Sequence, residues 1–202
     1  GSAITISSTA GVVTATSYHG DGSSLTGISA GLTTDTALNT SGGINAGDSI
    51  TTGIRNTAIG YNALTSDTTG SDNIGVGAYA SDNITTGVRN IGIGVSAVTA
   101  VTTGSRNIAL GYQALLKTTT ANDNTAVGYA ALQENTTGTN NTAVGAYSLD
   151  ANTTGVNNNA LGRSALGSNT TGSNNTAFGR ESLFTNTTAN DNVAIGHAAL
   201  TS

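Results

Sequence analysis

The residues that could do acid–base chemistry are few and badly spaced. His19 and His197 stand near opposite ends of the 202-residue chain. His19-Gly20-Asp21-Gly22 has the composition of an acid–base pair. Glycines on both sides of Asp21 instead make it a tight turn in which the carboxylate bonds its own backbone. No carboxylate pair recurs at a spacing that would serve glycoside hydrolysis. Asp72-Asn73 and Asn122-Asp123-Asn124 offer oxygens but lack the glutamate that closes a calcium loop. The Gly-Val-Gly and Gly-Ile-Gly pieces are not followed by the helix that a phosphate loop needs. We therefore expect no enzyme, no catalytic residue, no metal and no cofactor. What remains is recognition chemistry. Tyr61, Tyr112, Tyr129, Arg163 and Arg180 share one position of a repeat with Ala78, Val95, Ala146 and His197, while Tyr79 and Tyr147 stand one place on. Variable aromatics on a rigid frame suit contact with a receptor such as a sugar. The competing reading is that these tyrosines cover the flank of a thin roll or a groove between subunits.

The frame that must position them is a 17-residue unit, seen in Asn124-Thr125-Ala126-Val127-Gly128-Tyr129-Ala130-Ala131-Leu132-Gln133-Glu134-Asn135-Thr136-Thr137-Gly138-Thr139-Asn140. Its leading asparagine recurs without insertion at Asn56, Asn73, Asn90, Asn107, Asn124, Asn141, Asn158, Asn175 and Asn192. A fixed period of this length is the mark of a solenoid. Apolar positions do not recur at 3.6 residues, so helices are excluded. The fold class expected is all-β: a parallel β-solenoid, or β-roll, of 17-residue coils. An "Asn-x-Ala-Val-Gly" run alternates sides of a strand, so the residues one and three after the asparagine share a face. Glycine then turns the chain toward a second short strand ending at the leucine column (Leu64 through Leu200), and Thr-Thr-Gly returns it to the next coil. Stacked at about 4.8 Å, the asparagines can form a continuous structural ladder.

Each coil supplies about two large apolar residues, at the Ile59 and Leu64 columns, against an ordering cost on the order of 1.5 kcal/mol per residue. Such a monomer is marginal. The always-small column, Ala58, Gly75, Gly92, Ala109, Ala126, Ala143, Ala160, Ala177 and Ala194, suggests a place where chains approach closely. We expect a homotrimeric fibre with that column near the interface.

Composition narrows the class. There is no Pro, Met, Trp or Cys, only 8% of residues are charged, and the net charge is -5. Low charge and 28 glycines could mean disorder, but a disordered tract need not keep register. The acidic balance speaks against nucleic acid as a partner. No apolar run approaches the ~20 residues of a spanning helix, so membrane insertion is not expected. Three segments follow. Residues 1–28 read as a β-strand pair (Ile4–Ser7, Val12–Thr16) and a glycine-rich linker. Residues 29–56 are a polar joint and a degenerate lead-in coil, and residues 57–202 are the regular solenoid, ending mid-coil. Gly1-Ser2 reads as a cloning remnant, and the whole as a piece of a longer protein.

Two families carry these motifs. The stretch from Ala15 to Ile28, Ala-Thr-Ser-Tyr-His-Gly-Asp-Gly-Ser-Ser-Leu-Thr-Gly-Ile, resembles a short linker of phage tail-fibre proteins. Over residues 39–202 the "NTAVGYxAL…NTTGxN" unit resembles repeats of the same fibres. Asn192-Val193-Ala194-Ile195-Gly196 is similar to the core of the head repeats of trimeric autotransporter adhesins, which repeat at about 14 residues rather than 17. The resemblance implies a left-handed parallel β-roll of three chains and a structural, adhesive shaft located on the virion tail fibre. It also implies a host cell-surface glycan or protein as possible partner. The alternative it implies is a head segment of a bacterial surface adhesin. Ice binding through the Thr-Thr array is a further reading, against which adjacent threonines point to opposite sides of a strand.

Two expectations concern smaller features. The column before each asparagine reads Arg55, Asp72, Arg89, Arg106, Asp123, Asn140, Asn157, Asn174, Asp191. Stacking would place Asp72 between Arg55 and Arg89 and Asp123 beside Arg106, a register-fixing charge ladder of exposed and therefore weak pairs. On that basis Asp72→Arg should lower the melting temperature more than Asp67→Arg. Sequons such as Asn135-Thr136-Thr137 and Asn169-Thr170-Thr171 are read as ladder and turn chemistry rather than glycan acceptors.

Overall fold

The computed structural model describes residues 33, 34 and 37–201. The strand pair expected at 4–7 and 12–16 and the linker at 18–28 lie outside the described residues. Strand β1 (Thr33–Thr34) pairs antiparallel with β2 (Thr40–Gly42), and from there the chain climbs one coil per 17 residues. Each coil adds one three-residue strand: β3 (Thr57–Ile59), β4 (Ile74–Val76), β5 (Ile91–Ile93), β6 (Ile108–Leu110), β7 (Thr125–Val127), β8 (Thr142–Val144), β9 (Asn159–Leu161), β10 (Thr176–Phe178) and β11 (Val193–Ile195). The eleven strands form a single sheet in sequence order, parallel from β2 onward. Register follows the repeat, so Ala126 lies beside Ala109 and Ala143. The chain is a parallel β-solenoid. The degenerate stretch at 39–56 is a full coil of it, since Ser41 pairs with Ala58 and Asn39 begins the asparagine ladder.

Within each strand from β3 to β11 the middle residue is buried and its two neighbours face outward, the alternation that a period of two dictates. Which side is inside differs from expectation. The small column, Ala58 through Ala194, points into the coil of its own chain and is almost wholly buried there. It therefore offers no surface on which a second chain could lie. Small residues are needed because the opposite wall is the chain's own turn backbone. A Cβ at Gly75 would stand 2.8 Å from the Ala80 carbonyl oxygen and 3.3 Å from Leu64 Cγ. The large column points out: Ile93 is 42% exposed, Phe178 53% and Ile195 72%. The leucine column thus stays inside while the Ile59 column does not.

The second short strand does not form. Between strand and leucine the backbone is left-handed at alternate residues, as at Gly128 (φ 139°), Ala130 (52°) and Leu132 (51°). A strand cannot run through such dihedrals. Gly128 is required there, because a Cβ would meet the Gly145 carbonyl oxygen at 2.6 Å. A left-handed leucine costs on the order of 1–2 kcal/mol. The stack holds it in place: Leu132 N–H donates to the Ser148 carbonyl one coil on, at 3.0 Å, and its side chain is buried. The column before each asparagine is left-handed too, from Arg55 to Asp191. This gives its Asn and Asp residues a backbone reason as well as a charge reason, since their short polar side chains tolerate that conformation.

The asparagine ladder forms through the backbone as much as through the amides. Asn107 Oδ1 accepts the backbone N–H of Asn124 (3.2 Å) and its Nδ2 (3.1 Å), and Asn124 Nδ2 also donates to the Gly138 carbonyl (2.9 Å). The bond from backbone N–H to the preceding asparagine's Oδ1 recurs at every step from Asn56 to Asn192. Among the described residues no buried side-chain polar atom lacks a partner. An interior this polar is stable only when satisfied in that way.

A second interior column was missed. Eleven residues after the leading asparagines from Asn56 to Asn158 stand Asp67, Ile84, Val101, Thr118, Asn135, Asn152 and Asn169, all buried, with Asn186 half-buried in the next coil. Aligning the units would have exposed it, because Ser81 and Val98, where the leucine column shrinks, are the coils that gain Ile84 and Val101. Large and small trade places three residues apart at a nearly constant interior volume.

Candidate recognition edge

The turn after each strand places the residue five past the asparagine on one longitudinal edge, joined in two coils by an exposed tyrosine six past it. The structure brings Tyr61, Tyr112, Tyr129, Arg163 and Arg180 together on that edge, all exposed. Tyr79 and Tyr147 join them from the neighbouring position. The aromatics fall into two groups. Tyr61 meets Tyr79 edge-on, with centroids 5.3 Å apart. Tyr112, Tyr129 and Tyr147 occupy three consecutive coils, the first two stacked at 5.2 Å and 13°, the last two at 5.2 Å and 63°. One coil spacing matches the optimum for neighbouring rings, so the solenoid itself sets this array.

Above the three rings the edge turns cationic. Arg163 Nη1 lies 3.4 Å from Glu181 Oε1, while Arg180 reaches the same oxygen through Nη2 at 2.8 Å. Hydrogen bonding from Arg180 holds the Glu181 carboxyl below the usual carboxylate range, with His197 and Arg163 adding to the effect. Two guanidiniums share one carboxylate here.

No family model, no curated protein and no solved structure matches the chain. Its chemistry is therefore read from its own surfaces.

Three other ion pairs among the described residues are matched one to one. Arg55 donates to both oxygens of Asp72 (2.6 and 3.0 Å), and Arg106 to both of Asp123 (2.6 and 2.8 Å). Those bonds hold both carboxyls below the ordinary range. Arg89 acts on Asp72 only through its field. Lys117 and Glu134, also one coil apart, make a pair at 2.6 Å that the column argument overlooked. Asp67 is different. It is buried in the second interior column, accepts from Gly70 N–H (2.8 Å) and Asn73 Nδ2 (3.2 Å), and burial pushes its pKa up to about 6. It cannot serve as an exposed control for Asp72, and the expected order of the two arginine substitutions reverses.

The Thr-Thr pairs divide their work. The first donates to a carbonyl one coil on, as Thr136 Oγ1 does to Thr153 at 3.0 Å, and the second, such as Thr137, is exposed. Only a single file of free threonines results. Asn135 and Asn169 are buried with their amides engaged, so these sequons are ladder chemistry in the folded chain. Among the described residues no cluster of three metal-ligating side chains occurs.

Proposed function

We propose that the chain is a structural and adhesive shaft segment of a phage tail fibre, in which three copies associate through the outward face of the sheet. One observation carries this reading: Ile59, Val76, Ile93, Leu110, Val127, Val144, Leu161, Phe178 and Ile195 form an unbroken outward apolar column. Among the described residues Ile93, Leu161, Phe178 and Ile195 are exposed and the other five are half-buried. Beside it, Ile74, Ile91 and Ile108 widen the apolar strip at β4 to β6. A contiguous apolar strip of this kind marks an association surface. A second copy suits it because the strip repeats at the coil spacing along its whole length, so three identical rods can pack in register about a common axis. The nine regular coils would span about 43 Å at one strand spacing each. Continuous backbone ladders then make a stiff rod that holds a receptor-binding region away from the particle.

The alternative, a head segment of a bacterial trimeric surface adhesin, uses the same surface, and Asn192–Gly196 favours it. Light scattering on the purified chain tests the assembly. The expected mass is three times 19.8 kDa, persisting on dilution. Val127→Asp, which leaves the interior untouched, should reduce the mass to one copy with the circular dichroism retained. A wild-type mass of a single copy would overturn the reading.

A further inference from the structure

We propose that the edge formed by Tyr112, Tyr129, Tyr147 and Arg163 binds an acidic oligosaccharide. Pyranose rings would lie against the tyrosines and a sugar carboxylate against the guanidinium. The inference rests on the fibre reading only for where such a glycan would be met.

Three observations converge on it. The rings occupy consecutive coils at 5.2 Å centroid spacing, and each remains substantially exposed, Tyr129 at 48%. Because Tyr112 and Tyr129 stack on one another, the parts left exposed offer a sugar apolar ring carbon and a hydroxyl that bonds its rim. The platform is already ordered, because each ring is held by its neighbour and by a turn bonded coil to coil: Ala130 N–H donates to the Tyr112 carbonyl and Tyr147 N–H to the Tyr129 carbonyl, both at 2.9 Å. Binding therefore loses little side-chain entropy.

Charge selects the ligand's sign. The whole chain carries -5, yet the edge directly above the rings holds Arg163 and Arg180 against Glu181 alone. Arg180 makes two contacts to Glu181 Oε1, Nε at 3.2 Å and Nη2 at 2.8 Å, whereas Arg163 makes one long contact to the same oxygen at 3.4 Å. The Arg163 side chain is 57% exposed, in the coil that follows Tyr147. A planar fork with free donors is suited to a carboxylate. Neutral sugars could use the rings but would leave Arg163 with only its long contact to Glu181.

The test is a printed panel of uronate-containing, sialylated and neutral oligosaccharides of matched length, probed with the purified 202-residue chain. Acidic members should be retained and their neutral counterparts should bind about tenfold more weakly, the loss of one charge-assisted contact. Arg163→Gln should remove that preference, while Arg106→Gln, which deletes an equal charge from a different edge, should keep it. Tyr129→Ala should lose about tenfold and Tyr129→Phe, which keeps the ring, about twofold at most. Light scattering on every variant keeps assembly separate from binding. The proposal is overturned if no acidic member is bound above its neutral counterpart, or if the two arginine variants behave alike. A fall in mass rather than binding in the edge variants would also overturn it, because the edge would then be a contact between copies.

Discussion

Two halves of the solenoid solve the same corner differently. In the coils led by Asn56, Asn73 and Asn90 the corner behind the leucine column holds Asp67, Ile84 and Val101. In the coils led by Asn124, Asn141 and Asn158 it holds Asn135, Asn152 and Asn169, with Nδ2 of Asn152 donating to Asn135 Oδ1 at 2.9 Å and Nδ2 of Asn169 to Asn152 Oδ1 at 2.9 Å. Both halves keep the same backbone, so the corner accepts either apolar volume or a complete amide ladder. A lone carboxylate fits neither solution. Asp67 has Ile84 as its successor one coil on, and its charged form is disfavoured accordingly.

The largest expected effect breaks what the halves share. Leu132→Ala empties the interior of a middle coil, where no second large side chain stands ready to collapse into the space, and should cost about 3 kcal/mol. Chemical denaturation read by far-UV circular dichroism measures it. Asn152→Ala attacks the amide half alone. It leaves the side-chain Oδ1 of Asn135 without this donor and takes one acceptor from Asn169, at about 2 kcal/mol. Asn152→Leu should recover little, since one apolar residue inside an amide ladder still orphans its neighbours. If it instead matched wild type, the ladder would be replaceable piecemeal and the contrast between the halves would fail.

Asp67 sharpens the comparison through pH. Its folded pKa of about 6 lies above the ordinary 3.8, so the folded chain holds the proton more tightly than the unfolded chain. That contribution is complete below pH 4 and is lost as pH rises from 4 through 6, on the order of 2 kcal/mol in all. Thermal melts should therefore show the protein gaining stability on acidification from pH 7 to 5. Asp150, also raised by burial, acts with the same sign. Asp67→Asn should flatten most of the slope and be at least as stable as wild type at pH 7, because an amide can donate to the Gly70 carbonyl as Asn135 does to Gly138. An unchanged slope in Asp67→Asn would assign the pH dependence elsewhere.

The smallest effect lies in the charge ladder. Asp72→Arg removes an exposed pair and should move the melting temperature far less than Asp67→Arg, which forces a guanidinium into the buried corner. That order is opposite to the one the column pattern suggests. Alternation along the column says which residues are neighbours, and it does not say which columns face water.

Much of this molecule could be read from the repeat alone. The period specified the solenoid and the parallel, in-register stacking. It also specified the asparagine ladder and the pairing of Asp72 with Arg55 and of Asp123 with Arg106, because each follows from placing residue i beside residue i+17. The outward edge carrying Tyr61, Tyr112, Tyr129, Arg163 and Arg180 was legible for the same reason. Only the tertiary structure decided which face of each strand is the interior. A strand pattern of large-small-large is symmetrical between a coil with its large residues inside and one with them outside. The width of a 17-residue coil breaks the symmetry, since the turn backbone behind the strand leaves room for a methyl group at Ala126 and none for Val127. That one geometric fact buries the small column and turns the large column outward as the surface on which a second copy would rest.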